Sequence, residues 1–200
     1  MHTKRVLSTL NALDAAHFEP YVKKADRLKN ASLVLKTLTE KGKTPHPIEL
    51  LTFDEKKLVF RQPIANLWCT TLEKRYYDPI RIERGKAYLR NGALIHLEVE
   101  KPNQLFSLVN GSTVYHLRFT FSPMSPEQTL RITSKPGRFD ELARMLLPKN
   151  EDTVTSSCTC PDFKLSKCCK HMFATIYGFG IELDRNPRIL FRLRGFQIKT

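Results

Sequence analysis

Residues 158–171 read Cys158-Thr159-Cys160-Pro161-Asp162-Phe163-Lys164-Leu165-Ser166-Lys167-Cys168-Cys169-Lys170-His171. A C-x-C pair, a short gap and a C-x-H pair place four soft donors in one stretch. Structural Zn²⁺ takes thiolates and imidazole in a closed tetrahedral shell, and its binding free energy becomes folding free energy. Residues i and i+2 of an extended segment point to one side, so Cys158 and Cys160 converge on one ion if residues 156–161 are strand-like. The same spacing does not share a face of a regular helix. Cys169 is therefore expected just before a helix, His171 in its first turn, and residues 172–183 in its continuation.

Three other readings of the cysteines compete: a disulfide pair, buried small hydrophobes and a redox switch. The total of five is odd and no secretory apolar region opens the chain, which argues against a disulfide framework. Clustering argues against core filling. Cys168 is an alternative donor to Cys169. C-K-H repeats the one-residue spacing of the first pair, which favours Cys169 and leaves Cys168 as a partly exposed free thiol. The expected zinc ligands are Cys158, Cys160, Cys169 and His171.

Outward from this stretch the patterns are local ones. Pro187 suits the first turn of a last helix, with Ile189, Leu190, Phe191 and Leu193 on its apolar side. Upstream, Tyr115, Leu117, Phe119 and Phe121 alternate with polar residues as a half-buried strand does, and Asn110-Gly111 marks a hairpin. Residues 93–99, 104–109 and 113–121 thus read as a three-stranded antiparallel meander, the first with imperfect alternation. His96 and His116 fall on it as polar face residues, and Glu98 and Glu100 as solvent-facing ones. Arg81, Arg84 and Tyr88 share one face of a short helix ending at Asn91-Gly92. Residues 125–132 and 139–147 read as two further helical pieces. Residues 57–61 read as a short strand and 64–75 as a helix around a core Trp68, with Cys69 a buried bystander. Residues 26–40 have helical period, closed by Gly42 and the turn residues Pro45 and Pro47.

The stretch C158-T-C-P-D-F, C169-K-H and the tail L183-D-R-N-P-R-I-L-F-R-L-R-G195 resemble a SWIM zinc finger, C-x-C-x(n)-C-x-H, in its bacterial form. Residues 81–92 leading into 94–100 resemble the segment those proteins carry before the finger, and residues 68–72 their tryptophan-containing opening. The likeness covers residues 66–195. It departs in Phe163 where Trp is usual, in a longer gap and in a doubled third cysteine. The resemblance implies a DNA-binding or protein-binding role, in company with Swi2/Snf2-type helicases or recombination factors. The expected fold is α+β: a small antiparallel meander with flanking helices, plus a zinc-stapled finger and helical tail. Its expected divisions are a basic helical extension (1–50), an α+β region (51–150) and the SWIM-type finger (151–200).

A hydrophobic fraction of 41% describes a globular chain, and no apolar run approaches the ~20 residues of a membrane span. A cytoplasmic setting is expected, nucleoid-associated or nuclear according to the source. The net charge of +13 calls for a polyanionic partner, of which nucleic acid, above all DNA, is the commonest. Lys164, Lys167, Lys170, Arg188, Arg192 and Arg194 form the candidate phosphate-contacting set. No phosphate loop, nucleophile elbow or H-E-x-x-H is present, and four protein ligands leave zinc no open position, so no enzyme is expected. The alternative is a zinc-stabilised protein–protein adaptor without DNA binding of its own.

Overall fold

In a computed structural model of the chain, residues 23–134, 139–148 and 154–196 are described. Their helices are α1 (Lys24–Glu40), α2 (Phe53–Lys57), α3 (Pro63–Arg75), α4 (Pro79–Arg90), α5 (Pro126–Ser134), α6 (Phe139–Leu146), α7 (Pro161–Ser166), α8 (Lys170–Arg185) and α9 (Ile189–Leu193). Strands β1 (Leu94–Lys101), β2 (Gln104–Asn110), β3 (Val114–Phe121) and β4 (Val154–Cys158) form one antiparallel sheet in sequence order. The class is α+β, with one strand more than the expected meander. β4 returns after α5 and α6 to pair with β3, Phe121 opposite Val154 and Leu117 opposite Cys158. The short strand expected at residues 57–61 does not form. Thr52 and Glu55 make a capping box that starts α2 there, and Leu58 ends it in the left-handed region at φ 57°.

The alternation of β3 points Tyr115, Leu117, Phe119 and Phe121 into the main core, as its period requires. The irregular alternation of β1 has a physical cause in a register shift between Leu94 and His96. On the other sheet face Ile95, Phe106, Leu108 and Val114 are covered by Ala31, Val34, Leu35 and Leu38 of α1. The basic helix therefore closes a second, smaller core. Residues 46–48 lie along the outer edge of β1, where Leu97 N–H donates to His46 O and Ile48 N–H to Leu94 O. An otherwise open sheet edge is capped by this strap.

His96 is buried beneath the strap, its Nδ1 accepting from His46 N–H at 3.0 Å. Lys43 pairs with Glu98 and Glu100, and Arg118 with Glu100, so the two glutamates are ion-paired and not merely wet. Burial holds the His96 imidazolium below its ordinary range, and Lys43 and His46 act the same way against the opposing pull of Glu98.

Helix α8 runs through the middle. Every residue from His171 to Ile181 is buried, with the sheet on one side and α3 and α4 on the other. Trp68 of α3 is fully buried, meets Phe179 at a tilt with ring centroids 4.7 Å apart and donates Nε1–H to Ile176 O at 2.9 Å. Each such aromatic contributes about 1.5–3 kcal/mol by burial. Helix α4 comes close enough that a Cβ at Gly85 would sit 2.8 Å from Lys170 O and overlap Phe173 Cβ.

Two predictions follow from this packing. Gly85→Val forces α4 off α8 and is expected to cost about 3 kcal/mol, a fall in Tm of about 6–12 °C in thermal unfolding; an unchanged melt would show that the helices are not in this contact. For His96, the unfolded chain binds a proton near pH 6.5 and the fold resists it, so stability is lost as pH falls below that value. Denaturant titrations from pH 7 to 5.5 should show this loss, reduced in His96→Gln.

Candidate metal centre

Strand pairing delivers the first ligand pair. Cys158 ends β4, and Thr159 turns outward, its N–H donating to His116 O and its hydroxyl accepting from His116 N–H, both at 3.1 Å. Cys158 and Cys160 consequently face inward together, as the i, i+2 spacing requires. Cys160 is also the N-cap of α7, its Sγ accepting from Phe163 N–H at 3.3 Å, with Pro161 at the first helical position. Lys167 closes α7 in the left-handed region at φ 56°, and the chain returns to the metal side at Cys169. Cys169 is the N-cap of α8 and His171 lies in its first turn, both as expected.

The donor atoms of Cys158, Cys160, Cys169 and His171 all lie within 4.8 Å of one another, and all four residues are buried. Cys158 Sγ stands 3.9 Å from His171 Nδ1. A tetrahedral zinc with its usual bond lengths sets such ligand–ligand edges at about 3.5–3.8 Å, so the cluster fits one Zn²⁺. The charges fit as well. Hydrogen bonds from the Cys158 and Cys169 thiols drive Cys160 far below the ordinary thiol range, while donating to Cys160 pushes Cys158 up to about 12, and donating to the other two sulfurs raises Cys169 further. The sulfurs are thus close enough to share protons, and Zn²⁺ binding would displace those protons and hold all three as thiolates.

Cys168 stands outside the cluster. It is half-buried, its Sγ directed to Tyr76 O at 3.7 Å, and burial raises it to about 11, so it remains a thiol at neutral pH. The ambiguity between neighbouring cysteines is thereby resolved in favour of Cys169.

Side chains that the sequence patterns placed on local elements, without linking them to the ligands, shape the site. His171 is covered by the tilted ring of Tyr115 at 4.4 Å and met edge-on by Tyr88 at 5.3 Å. A Cβ at Gly111 would press on Tyr115 at 2.6 Å and on His171 Nε2 at 3.4 Å, which keeps that hairpin position bare. Asp162 takes the Arg81 guanidinium on both oxygens at 2.6 and 3.1 Å, and Asp78 holds the same arginine at 2.5 Å. These carboxylates hold Arg81 above its already high range, Asp162 first. The shared face of Arg81, Arg84 and Tyr88 was the available signal. Asp162 lies eighty-one residues from Arg81 and could not be read from it.

The six candidate phosphate contacts separate into two places. Lys164 is exposed on α7 and Lys167 at its C-cap, and Lys170 lies 5.2 Å from the Tyr88 ring centroid at the metal end of α8. Arg188 and Arg192 are exposed beyond the opposite end of α8, about 24 Å away along a sixteen-residue helix. Arg194 is buried with its guanidinium 5.8 Å from the Phe121 ring centroid, which removes it from any outer surface. Among the described residues no helix is long and apolar enough to cross a membrane.

Cys169→Ser is expected to abolish stoichiometric zinc in native mass spectrometry and to lower Tm, whereas Cys168→Ser retains one zinc per chain; the reverse pattern would overturn the ligand assignment.

Residues 144–177 match the family model of the SWIM zinc finger. An uncharacterized protein of Mycobacterium tuberculosis, Rv2102, is 25% identical over a match covering 58% of this chain and 48% of that protein, so the chain spans about half the length of this relative. No solved structure matches.

Proposed function

We propose that this chain, which carries a SWIM zinc finger at residues 144–177, is a nucleic-acid-binding module with DNA as its favoured ligand. It would act as a non-enzymatic accessory to a DNA-remodelling, helicase or recombination machine, a Swi2/Snf2-type helicase being the kind of partner in view. One observation carries the reading. The zinc ligands bracket α7, with Cys160 at its start and Cys169 just beyond its end, so the metal fixes a short helix that presents Lys164 and Lys167 outward. The one carboxylate on α7, Asp162, is taken by Arg81, and no described acid pairs with either lysine. What faces solvent there is positive charge, on a chain of net charge +13. Phosphate contacts by such lysines give affinity without base readout, and salt-dependent affinity. Zinc bound by four protein ligands has no position for water or substrate, which favours binding over catalysis.

A second reading has its own observation. Tyr77, Ile80 and Leu165 are exposed at 74%, 67% and 64%, on α7 and at the start of α4, the two elements joined by Arg81–Asp162. Apolar groups exposed around a rigid polar link suit a protein partner.

The discriminating measurement is binding of zinc-loaded protein to single- and double-stranded DNA across a salt series. The nucleic-acid reading expects zinc-dependent binding at micromolar Kd or tighter at physiological salt. Lys164→Glu should weaken it and flatten the salt slope by about 1, with a smaller effect from Arg192→Glu. Binding that ignores zinc and vanishes at physiological salt would sink this reading and leave the adaptor.

A further inference from the structure

Between α1, the turn joining α4 to β1, and the end of β2 lies a cavity of about 480 Å³, lined among others by Arg27, Tyr88, Arg90, Asn91 and Asn110. We propose that it binds a nucleotide phosphomonoester, the phosphate held by Arg27 and Arg90 and a donor group of the base or sugar held by Asn110.

Three features of the wall carry this. Arg27 and Arg90 come from different helices to one cavity, no lining residue is acidic, and among the described residues neither arginine makes an ion pair. Arg27 Nε is buried without a hydrogen-bond partner. Two guanidiniums converging in this way match the planar, multiply charged oxygens of a phosphate. The second feature separates a nucleotide from a bare anion. Asn110 Oδ1 is also buried without a partner, and an acceptor asks for an N–H or O–H, which a base or sugar supplies at a position removed from the phosphate. A ligand with an anion at one end and a hydrogen-bond donor at the other satisfies both walls. The volume falls within the range of small-molecule sites and exceeds what a lone oxyanion needs.

The third feature is Tyr88. Its ring forms part of the cavity wall, carries Lys170 at 5.2 Å and meets the metal ligand His171 at 5.3 Å. The cavity therefore adjoins Lys170 of the finger through one aromatic side chain, a surface on which a base can stack. A strand lying on Lys164, Lys167 and Lys170 has a place to put its phosphorylated end. In that form the inference rests on the nucleic-acid reading, while a free nucleotide offers the same chemistry.

The test uses the zinc-loaded full chain with adenosine 5′-monophosphate and with single-stranded oligonucleotides identical but for a 5′-phosphate or 5′-hydroxyl. Wild type is compared with Arg90→Ala, Arg27→Ala and the double variant Lys164→Glu, Lys167→Glu, each first shown to retain zinc and helical circular dichroism. The expected result is saturable binding of the monophosphate and about tenfold tighter binding of the phosphorylated strand. Either arginine substitution removes that preference. The lysine double variant weakens both oligonucleotides but keeps the preference. Monophosphate binding without oligonucleotide binding would support the pocket with a free nucleotide as its ligand and defeat the nucleic-acid reading. Equal binding of the two oligonucleotides with no monophosphate binding overturns the pocket and leaves that reading standing. No binding of any probe overturns both.

Discussion

Helix α8 is surrounded on all sides for most of its length, and its first turn is fixed by a metal cluster drawn from the chain before it. Side chains near each end fix such a helix in place. At its C-terminal end the basic side chain Arg185 reaches Glu55 and the carbonyl of Glu49, tying the strap to the helix. At its N-terminal end Cys169 and His171 meet Cys158 and Cys160, so β4 and α8 are joined through one point. The metal centre is thus a corner of the core: Cys158, Cys160, Cys169 and Phe163 belong to the same apolar cluster as Trp68 and Phe179.

This placement gives the finger its stiffness. A six-residue helix such as α7 has too few internal hydrogen bonds to persist alone. Here it is anchored at Cys160, followed by Cys169 and tied through Asp162 to Arg81 on α4. The lysines it carries are presented from a fixed frame, and a fixed frame lowers the ordering cost that binding would otherwise incur. The same tie couples the finger to α4, whose other end borders the cavity of Arg90.

How much of this was legible depends on the range of the interaction. The ligand set could be read because two residues in an extended segment share a face and because thiolates and imidazole at such spacing serve one chemistry. The hairpin at Asn110-Gly111 and the alternation of β3 could be read for the same local reason. Residues 57–61 misled because their apolar content resembles a strand, while the capping box of Thr52 and Glu55 committed the chain to a helical turn just before them. Arg194 misled because an arginine in a basic tail looks wet, and here it lies against Phe121.

By itself, then, the sequence determined the α+β class, the zinc-binding stretch and the helix that starts beside it, since each rests on spacing and stereochemistry within one segment. Only the tertiary structure decided that β4 pairs with β3, that Gly85 admits α4 against α8, that Cys169 and not Cys168 faces the metal, and that the basic residues divide between two ends of the molecule. Those outcomes depend on which distant surfaces come into contact, and a one-dimensional pattern of polar and apolar residues specifies the face to be buried without naming its partner.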